Sequence, residues 1–124
     1  DHYPGATPPG PALYDDGTQA NLEAACWAAI DAAADLYGAT SEQVLRGQRL
    51  QTAIPARRVA MTAAHLVGGS YSEIGRFYRK DHSTVVTAVK WCLATPVACV
   101  EAERIADQIR AQLQPVEREN NAHQ

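Results

Sequence analysis

Small polar side chains stand together at positions 82–87, where their types and spacing suit the binding of nucleic acid. His82, Ser83 and Thr84 are consecutive, and Thr87 follows them after about one helical turn. Hydroxyl groups and an imidazole in the first turn of a helix reach phosphate oxygens and base edges in the major groove of DNA. The pattern therefore predicts a surface that hydrogen-bonds to duplex DNA.

Two short helices are expected to hold these side chains in place. Ser70 and Glu73 have the spacing of a capping box, in which each side chain satisfies a free backbone N–H at a helix start. Asp81 takes the N-cap position of the second helix, and its carboxylate is expected to accept from the N–H of Ser83 or Thr84. The stretch that contains them predicts a helix-turn-helix, a motif whose second helix usually reads DNA.

Both helices of this motif carry apolar residues at helical spacing. They are Tyr71, Ile74, Phe77 and Tyr78 in the first helix, and Val85, Val86, Ala88, Val89, Trp91, Cys92 and Leu93 in the second. Gly75 lies inside the first helix, where glycine costs roughly 1 kcal/mol relative to alanine. We therefore expect the second helix to approach closely at Gly75.

Charge is distributed unevenly along the chain, whose formal net charge is −3. Positions 46–90 hold eight basic and two acidic residues, a balance of +6, whereas the other positions hold three basic and twelve acidic residues. The binding of an anionic ligand depends on the local surplus of positive charge rather than on the net charge of the whole chain. The basic segment marks the candidate nucleic-acid face, although a merely solvated surface is the alternative interpretation of such a cluster.

Three helices are predicted ahead of this motif, and the first two of them precede Gly47. The first spans about 20–37 and ends at Gly38. Its buried stripe comprises Leu22, Cys26, Ala29, Ile30, Ala33, Leu36 and Tyr37. Thr40 and Gln43 repeat the capping-box spacing and open a short helix that closes at Gly47.

Another helix is expected to begin with Pro55 at its first position and to stop at Gly68. Arg57 and Arg58 then fall in its first turn, where two cations oppose the helix dipole and favour a nearby anion such as phosphate. A final helix is predicted from Pro96 to about Leu113.

An all-α fold of about six helices follows, because no long stretch alternates with period two. We expect residues 1–18 to form a proline-rich arm, residues 19–114 one helical domain, and residues 115–124 a polar tail. The arm is either extended or disordered, or it lies over the core by tucking in Leu13 and Tyr14.

Several functional classes lack support in the residues. There is neither a run of 18 apolar residues nor a signal-peptide pattern, so a cytoplasmic, nucleoid-associated protein without membrane contact is expected. Cys26, Cys92 and Cys99 lack CxxC spacing, which predicts free thiols packed as small hydrophobes and no metal site. No nucleophile and base are paired, so neither an enzyme nor a cofactor is expected.

From about Leu22 to Leu113 the sequence resembles the C-terminal DNA-binding domain (domain IV) of DnaA, the bacterial chromosomal replication initiator. The matching motifs are DHSTVVTAVK, the SEIG that precedes it, and RRVAM at the predicted helix of Pro55. The resemblance implies a Trp-repressor-like helix-turn-helix fold that binds double-stranded DNA. Ser72 and Thr87 replace a proline and a histidine of the family pattern, and the turn YRKDH is one residue shorter than the family's FGGRDH.

The resemblance also implies roles for individual residues. Arg49 corresponds to the arginine that enters the minor groove, and Arg57 to one that contacts phosphate. The residues that open the second helix correspond to those that contact bases and phosphates. With the basic residues of the turn and helices, the predicted DNA-binding set is Arg49, Arg57, Arg58, Ser72, Arg79, Lys80, Asp81, His82, Ser83, Thr84, Thr87 and Lys90.

The predicted function is sequence-specific binding of double-stranded DNA, by a transcriptional regulator or a modulator of replication origins. No GxxxxGK[ST] phosphate loop occurs in the sequence, so no nucleotide is expected. The alternative is a protein-interaction module that binds a replication or transcription factor through Trp27 and the acidic helices. The resemblance implies a monomer on DNA, while a homodimer or a protein partner held by the arm stays open.

Overall fold

The computed structural model of the protein describes residues 19–47 and 51–113. Within these ranges the chain forms six α-helices and no strand, so the predicted all-α fold is confirmed. The helices are α1 (Gln19–Tyr37), α2 (Ser41–Arg46), α3 (Ala53–Leu66), α4 (Tyr71–Tyr78), α5 (His82–Ala94) and α6 (Pro96–Leu113). The predicted arm at 1–18 and polar tail at 115–124 lie outside the described residues.

Helix α3 is the centre of the fold, and it packs against α1, α5 and α6. Its buried residues are mostly small: Ala53, Ala56, Val59, Ala60, Met61, Thr62, Ala63 and Ala64. Small side chains let neighbouring helices approach closely while they still bury apolar surface. The one polar residue of this set, Thr62, donates its hydroxyl to the carbonyl of Arg58 at 2.8 Å, so its burial leaves no unsatisfied hydroxyl proton.

Both predicted capping boxes are present. The Thr40 hydroxyl accepts from the Gln43 N–H at 3.1 Å, and the Gln43 side chain accepts from the Thr40 N–H at 2.9 Å. Ser70 and Glu73 exchange the corresponding bonds at 3.1 and 3.0 Å. Gly47 ends α2 in the left-handed conformation, with φ of 65°, as a glycine at that position suggests. The starts of α2 and α4 are therefore fixed by their own side chains.

Helix α3 begins at Ala53, so the prediction that Pro55 starts it is wrong by two residues. The Ala56 N–H donates to the Thr52 carbonyl, which begins the helical bonding pattern ahead of the proline. Proline is tolerated at this third position because the first four N–H groups of a helix have no helical partner. Arg57 and Arg58 are consequently in the second turn rather than the first, where the helix dipole acts on them less.

Two predictions about single side chains are also wrong. Asp81 precedes α5 as its N-cap residue, but its carboxylate makes no capping hydrogen bond. The Thr84 N–H donates instead to the backbone carbonyl of Asp81 at 3.0 Å, which occupies that donor. Leu36, placed in the buried stripe of α1, is 52% exposed, because the adjacent α1 residue Tyr37 takes the position against the core.

Helix α6 is tied to the rest of the fold by polar contacts as well as by its apolar face. The Tyr37 hydroxyl donates to the Glu101 carboxylate at 2.5 Å, which joins the end of α1 to α6. Arg110 donates to the carbonyl of Leu66 at 2.7 Å, at the C-terminal end of α3. A cation at this end of a helix satisfies a free carbonyl and complements the helix dipole.

All three cysteines are free thiols, as predicted, but Cys99 is half-exposed, so the predicted packing as a small hydrophobe is wrong for that residue. Burial raises the pKa of the Cys26 thiol to about 12, and it also raises the pKa of Cys92. Both thiols pack in the core as small apolar groups. The described residues contain no cluster of side chains that could hold a metal ion.

None of the described helices is by itself long and apolar enough to cross a membrane. Helices α5 and α6, which meet at 110°, satisfy that criterion together as a bent pair, on length and composition alone.

The close approach expected at Gly75 is present and generates a testable prediction. A Cβ atom added there would lie 2.7 Å from the Lys80 carbonyl oxygen and 3.3 Å from the His82 backbone nitrogen. We expect Gly75→Ala to destabilise the protein by about 1–3 kcal/mol despite the better helix propensity of alanine, because backbone must shift. Urea denaturation followed by circular dichroism measures the change in the free energy of unfolding.

The neighbouring exposed residue supplies the control. Arg76→Ala also places alanine in α4 but introduces no contact, so its free energy of unfolding should stay within about 0.5 kcal/mol of the parent. Equal stability of the two variants would show that the close approach at Gly75 is not required.

Candidate nucleic-acid interface

The turn between α4 and α5 is three residues long and is closed by backbone hydrogen bonds. The Arg79 N–H donates to the Arg76 carbonyl at 3.2 Å, and the Lys80 N–H donates to the Gly75 carbonyl at 2.8 Å. Arg79 has a φ of 60° and is the one non-glycine residue with a positive φ among those described. This left-handed conformation costs an arginine roughly 1–2 kcal/mol. A basic side chain therefore occupies a turn position that glycine would fill with less strain.

A groove between α3 and α5 brings two of the predicted groups together. Arg57 and Arg58 line it from α3, and Ser83, Thr84 and Thr87 line it from α5. The groove is open and holds about 240 Å³. Two arginines thus share a groove with three hydroxyl groups, a combination of donors and acceptors that suits a phosphodiester backbone next to base edges.

Arg58 is held by an aromatic ring from the neighbouring helix. Its guanidinium carbon lies 5.0 Å from the centroid of the Trp91 ring on α5. Such a cation–π contact orients the charge without neutralising it, and contributes about 0.5–1 kcal/mol at a partly exposed site. Arg58 therefore keeps its charge at the groove and has a defined position relative to α5.

Arg57 is packed more deeply, although it lines the same groove. Its guanidinium fills the space beside Gly47, where a Cβ atom would collide with it. Its buried Nε has no hydrogen-bond partner within the described residues, and the same is true of the buried Tyr78 hydroxyl. Burial, together with the charge of Arg58, lowers the pKa of Arg57. Arg57 thus joins α3 to the end of α2 rather than pointing freely into solvent.

The remaining predicted site residues are mostly at the surface. Exposed positions are taken by Arg79, Lys80 and Asp81 in the turn and by His82, Ser83, Thr87 and Lys90 on α5. Ser72, early in α4, is half-buried. Arg49 lies outside the described residues, between Gly47 and Gln51.

Two features of this surface are absent from the sequence predictions. One is the contact of Trp91 with Arg58, which joins residues on different helices and has no signal in local spacing. The other is an aromatic pair beside the turn, in which Trp27 and Phe77 meet edge to face with centroids 5.6 Å apart. Trp27 is the predicted contact of the alternative protein-interaction module, but its pairing with Phe77 joins two helices and has no signal in local spacing.

Comparisons with known proteins agree with this architecture. Residues 28–91, about half of the chain, match the family described as the bacterial dnaA protein helix-turn-helix. That range runs from α1 to α5 and includes the whole of α2, α3 and α4. Neither the curated proteins nor the solved structures give a match. The C-terminal domain of that family is a DNA-binding domain. The chain therefore belongs to the DnaA C-terminal helix-turn-helix family.

Proposed function

We propose that this protein binds a specific sequence of double-stranded DNA through α4 and α5, with α5 in the major groove. The observation that carries the proposal is the groove in which Arg57 and Arg58 of α3 face Ser83, Thr84 and Thr87 of α5. In a helix-turn-helix the second helix enters the major groove, and neighbouring elements contact the backbone. The same division of roles suits α5 and α3 here.

Base recognition falls to the exposed polar side chains of the first turns of α5. His82, Ser83 and Thr87 are exposed, while Val85, Ala88 and Val89 of the same helix are buried. One face of α5 is thus committed to the core and the other presents an imidazole and hydroxyl groups. These groups donate to and accept from base edges in the major groove, where each base pair has its own pattern.

Contacts with phosphate are assigned to the surrounding cations. Arg58 at the groove, Arg79 and Lys80 in the turn, and Lys90 on α5 all lie on elements that flank the proposed reading surface. Arg57 is a weaker candidate than the family resemblance implies, because its guanidinium is half-buried against Gly47. We assign it to bracing the start of the segment that contains Arg49, the proposed minor-groove contact.

The role we propose is regulation of transcription or modulation of replication origins. Both follow from specific binding to duplex DNA without an enzymatic step. Outside positions 46–90 the chain carries twelve acidic and three basic residues, which disfavours non-specific coating of DNA by repulsion. A specific site then competes better against the bulk of the chromosome.

Removing hydrogen-bonding groups from α5 tests the assignment of base recognition. His82→Ala and Thr87→Val alter exposed side chains and leave the buried face of α5 intact. We expect each variant to lose about 1–3 kcal/mol of affinity for the preferred duplex and to relax the preference at one or two base pairs. Selection of bound duplexes from a random pool at near-physiological salt, followed by titration, measures both effects.

A matched control removes a polar side chain elsewhere. Gln108 is exposed on α6, so Gln108→Ala should enrich the same motif as the parent. An identical motif and affinity for His82→Ala, Thr87→Val and the parent would contradict base recognition by α5.

Salt dependence tests the phosphate contact assigned to Arg58. Arg58→Gln removes the charge and keeps part of the side-chain stem over Trp91. We expect weaker binding to all duplexes and a plot of log K against log salt whose slope is shallower by about 0.9, because one fewer counterion is released. Arg104→Gln removes the same charge from an exposed position on α6 and should leave the slope unchanged. A parental slope for Arg58→Gln would remove Arg58 from the interface.

A further inference from the structure

A second groove lies beside the turn of the helix-turn-helix, and its lining differs from that of the α3–α5 groove. We call it the turn groove; it is open, holds about 700 Å³, and is lined by Trp27, Leu45, Arg46, Phe77, Tyr78, Arg79 and Lys80. The lining comes from α1, α2, α4 and the turn. No acidic residue lines it.

The floor of the turn groove is a row of aromatic rings. Trp27 and Phe77 meet at 82° with centroids 5.6 Å apart, and Phe77 and Tyr78 meet at 75° with centroids 5.3 Å apart. Edge-to-face contacts of this kind hold the rings in fixed orientations. Trp27 is nevertheless 42% exposed, so a large apolar surface at the floor remains in contact with water.

The rim of the turn groove is basic. The two ion pairs within the described residues are Arg46 with Glu42 and Arg110 with Asp107, so neither Arg79 nor Lys80 is in one. The Arg46 pair is exposed on both sides and is worth less than about 1 kcal/mol, which leaves Arg46 available to another carboxylate. Three cations thus surround an apolar floor.

DNA accounts for only part of this surface. A phosphate backbone matches the cations of the rim, but its apolar surface is limited to the small C–H groups of the sugars, which match the large rings of Trp27 and Phe77 poorly. A peptide segment that combines large apolar side chains with adjacent carboxylates matches both parts.

Such a segment is present in this chain immediately ahead of α1. Leu13, Tyr14, Asp15 and Asp16 are consecutive, and α1 begins at Gln19. Trp27 is eight residues into the helix, or about 12 Å along its axis. Five extended residues from Tyr14 to Gln19 span up to about 17 Å, so a chain that doubles back along α1 reaches Trp27.

We propose that residues 13–16 of this chain dock in its own turn groove, with Tyr14 on the aromatic floor and Asp15 and Asp16 facing the basic rim. The docked segment covers Arg79 and Lys80. It therefore competes with DNA phosphates for the same cations, a consequence that rests on the function proposed above. The docking itself does not depend on DNA.

The test uses the full chain and NMR spectra recorded without DNA. Tyr14→Ala removes the aromatic group that docks, and Tyr3→Ala removes an aromatic group from the same segment at a position away from the two aspartates. We expect Tyr14→Ala, but not Tyr3→Ala, to shift the indole N–H resonance of Trp27 and the amide resonances of Arg79 and Lys80. The Trp91 indole resonance should stay in place in both variants.

A second pair of variants tests the charges. Asp15→Asn with Asp16→Asn should shift the same resonances, and high salt should move the parent spectrum in the same direction. The resonances of the parent should not change on dilution, because the segment and the groove belong to one chain. Unmoved Trp27, Arg79 and Lys80 resonances in Tyr14→Ala would overturn the docking. Dependence of these resonances on concentration would overturn the intramolecular form in favour of docking between copies.

DNA binding by the same variants separates this proposal from the function on which its consequence rests. We expect Tyr14→Ala to bind the selected duplex about three to ten times more tightly than the parent at low salt, since competition is lost, and Tyr3→Ala to match the parent. If no variant binds DNA but the Trp27 resonance still shifts, docking stands and the proposed function fails. If DNA is bound and Tyr14→Ala changes neither the resonance nor the affinity, the proposed function stands and docking fails.

Discussion

The close contact between Gly75 and the backbone at Lys80 and His82 is the constraint on which the rest of the surface depends. It allows a three-residue turn, and the short turn fixes where α5 starts relative to α4. Since α5 also packs on α3, the position of its first turn determines that Ser83, Thr84 and Thr87 meet the arginines of α3. The absence of a side chain at Gly75 therefore places the hydroxyl groups of α5 and the arginines of α3 in one groove.

The two arginines of the α3–α5 groove are held in position by packing rather than by ion pairs. Arg58 is positioned by an indole ring and Arg57 by a glycine, and neither is paired with a carboxylate in the described chain. A cation held in this way has no internal ion pair, which would have to be broken before the cation could meet an external anion. The Schellman-like end of α4 likewise holds Arg79 in place through its backbone.

Local signals in the sequence predicted local structure well. Ser70 with Glu73, and Thr40 with Gln43, fix helix starts through hydrogen bonds between residues three positions apart. The spacing of these residues in the sequence is therefore enough to predict the bonds. The helix start predicted from Pro55 was wrong because proline is acceptable anywhere in the first turn. The capping bond predicted for the Asp81 carboxylate was wrong because the backbone carbonyl of Asp81 accepts from the Thr84 N–H instead. The grooves could not be predicted in this way, since they join residues from different helices whose packing is decided by the whole core.

The family match ends at residue 91, but the packed structure does not. Helix α6 buries Ala98, Ala102, Ile105, Ala106 and Ile109 against the core, and Arg110 satisfies the carbonyl of Leu66 at the end of α3. A fragment cut at the end of the match would expose apolar surface on the central helix and free that carbonyl. The segment that matches the family and the packed helical unit therefore differ in this protein, and the packed unit extends at least to residue 110.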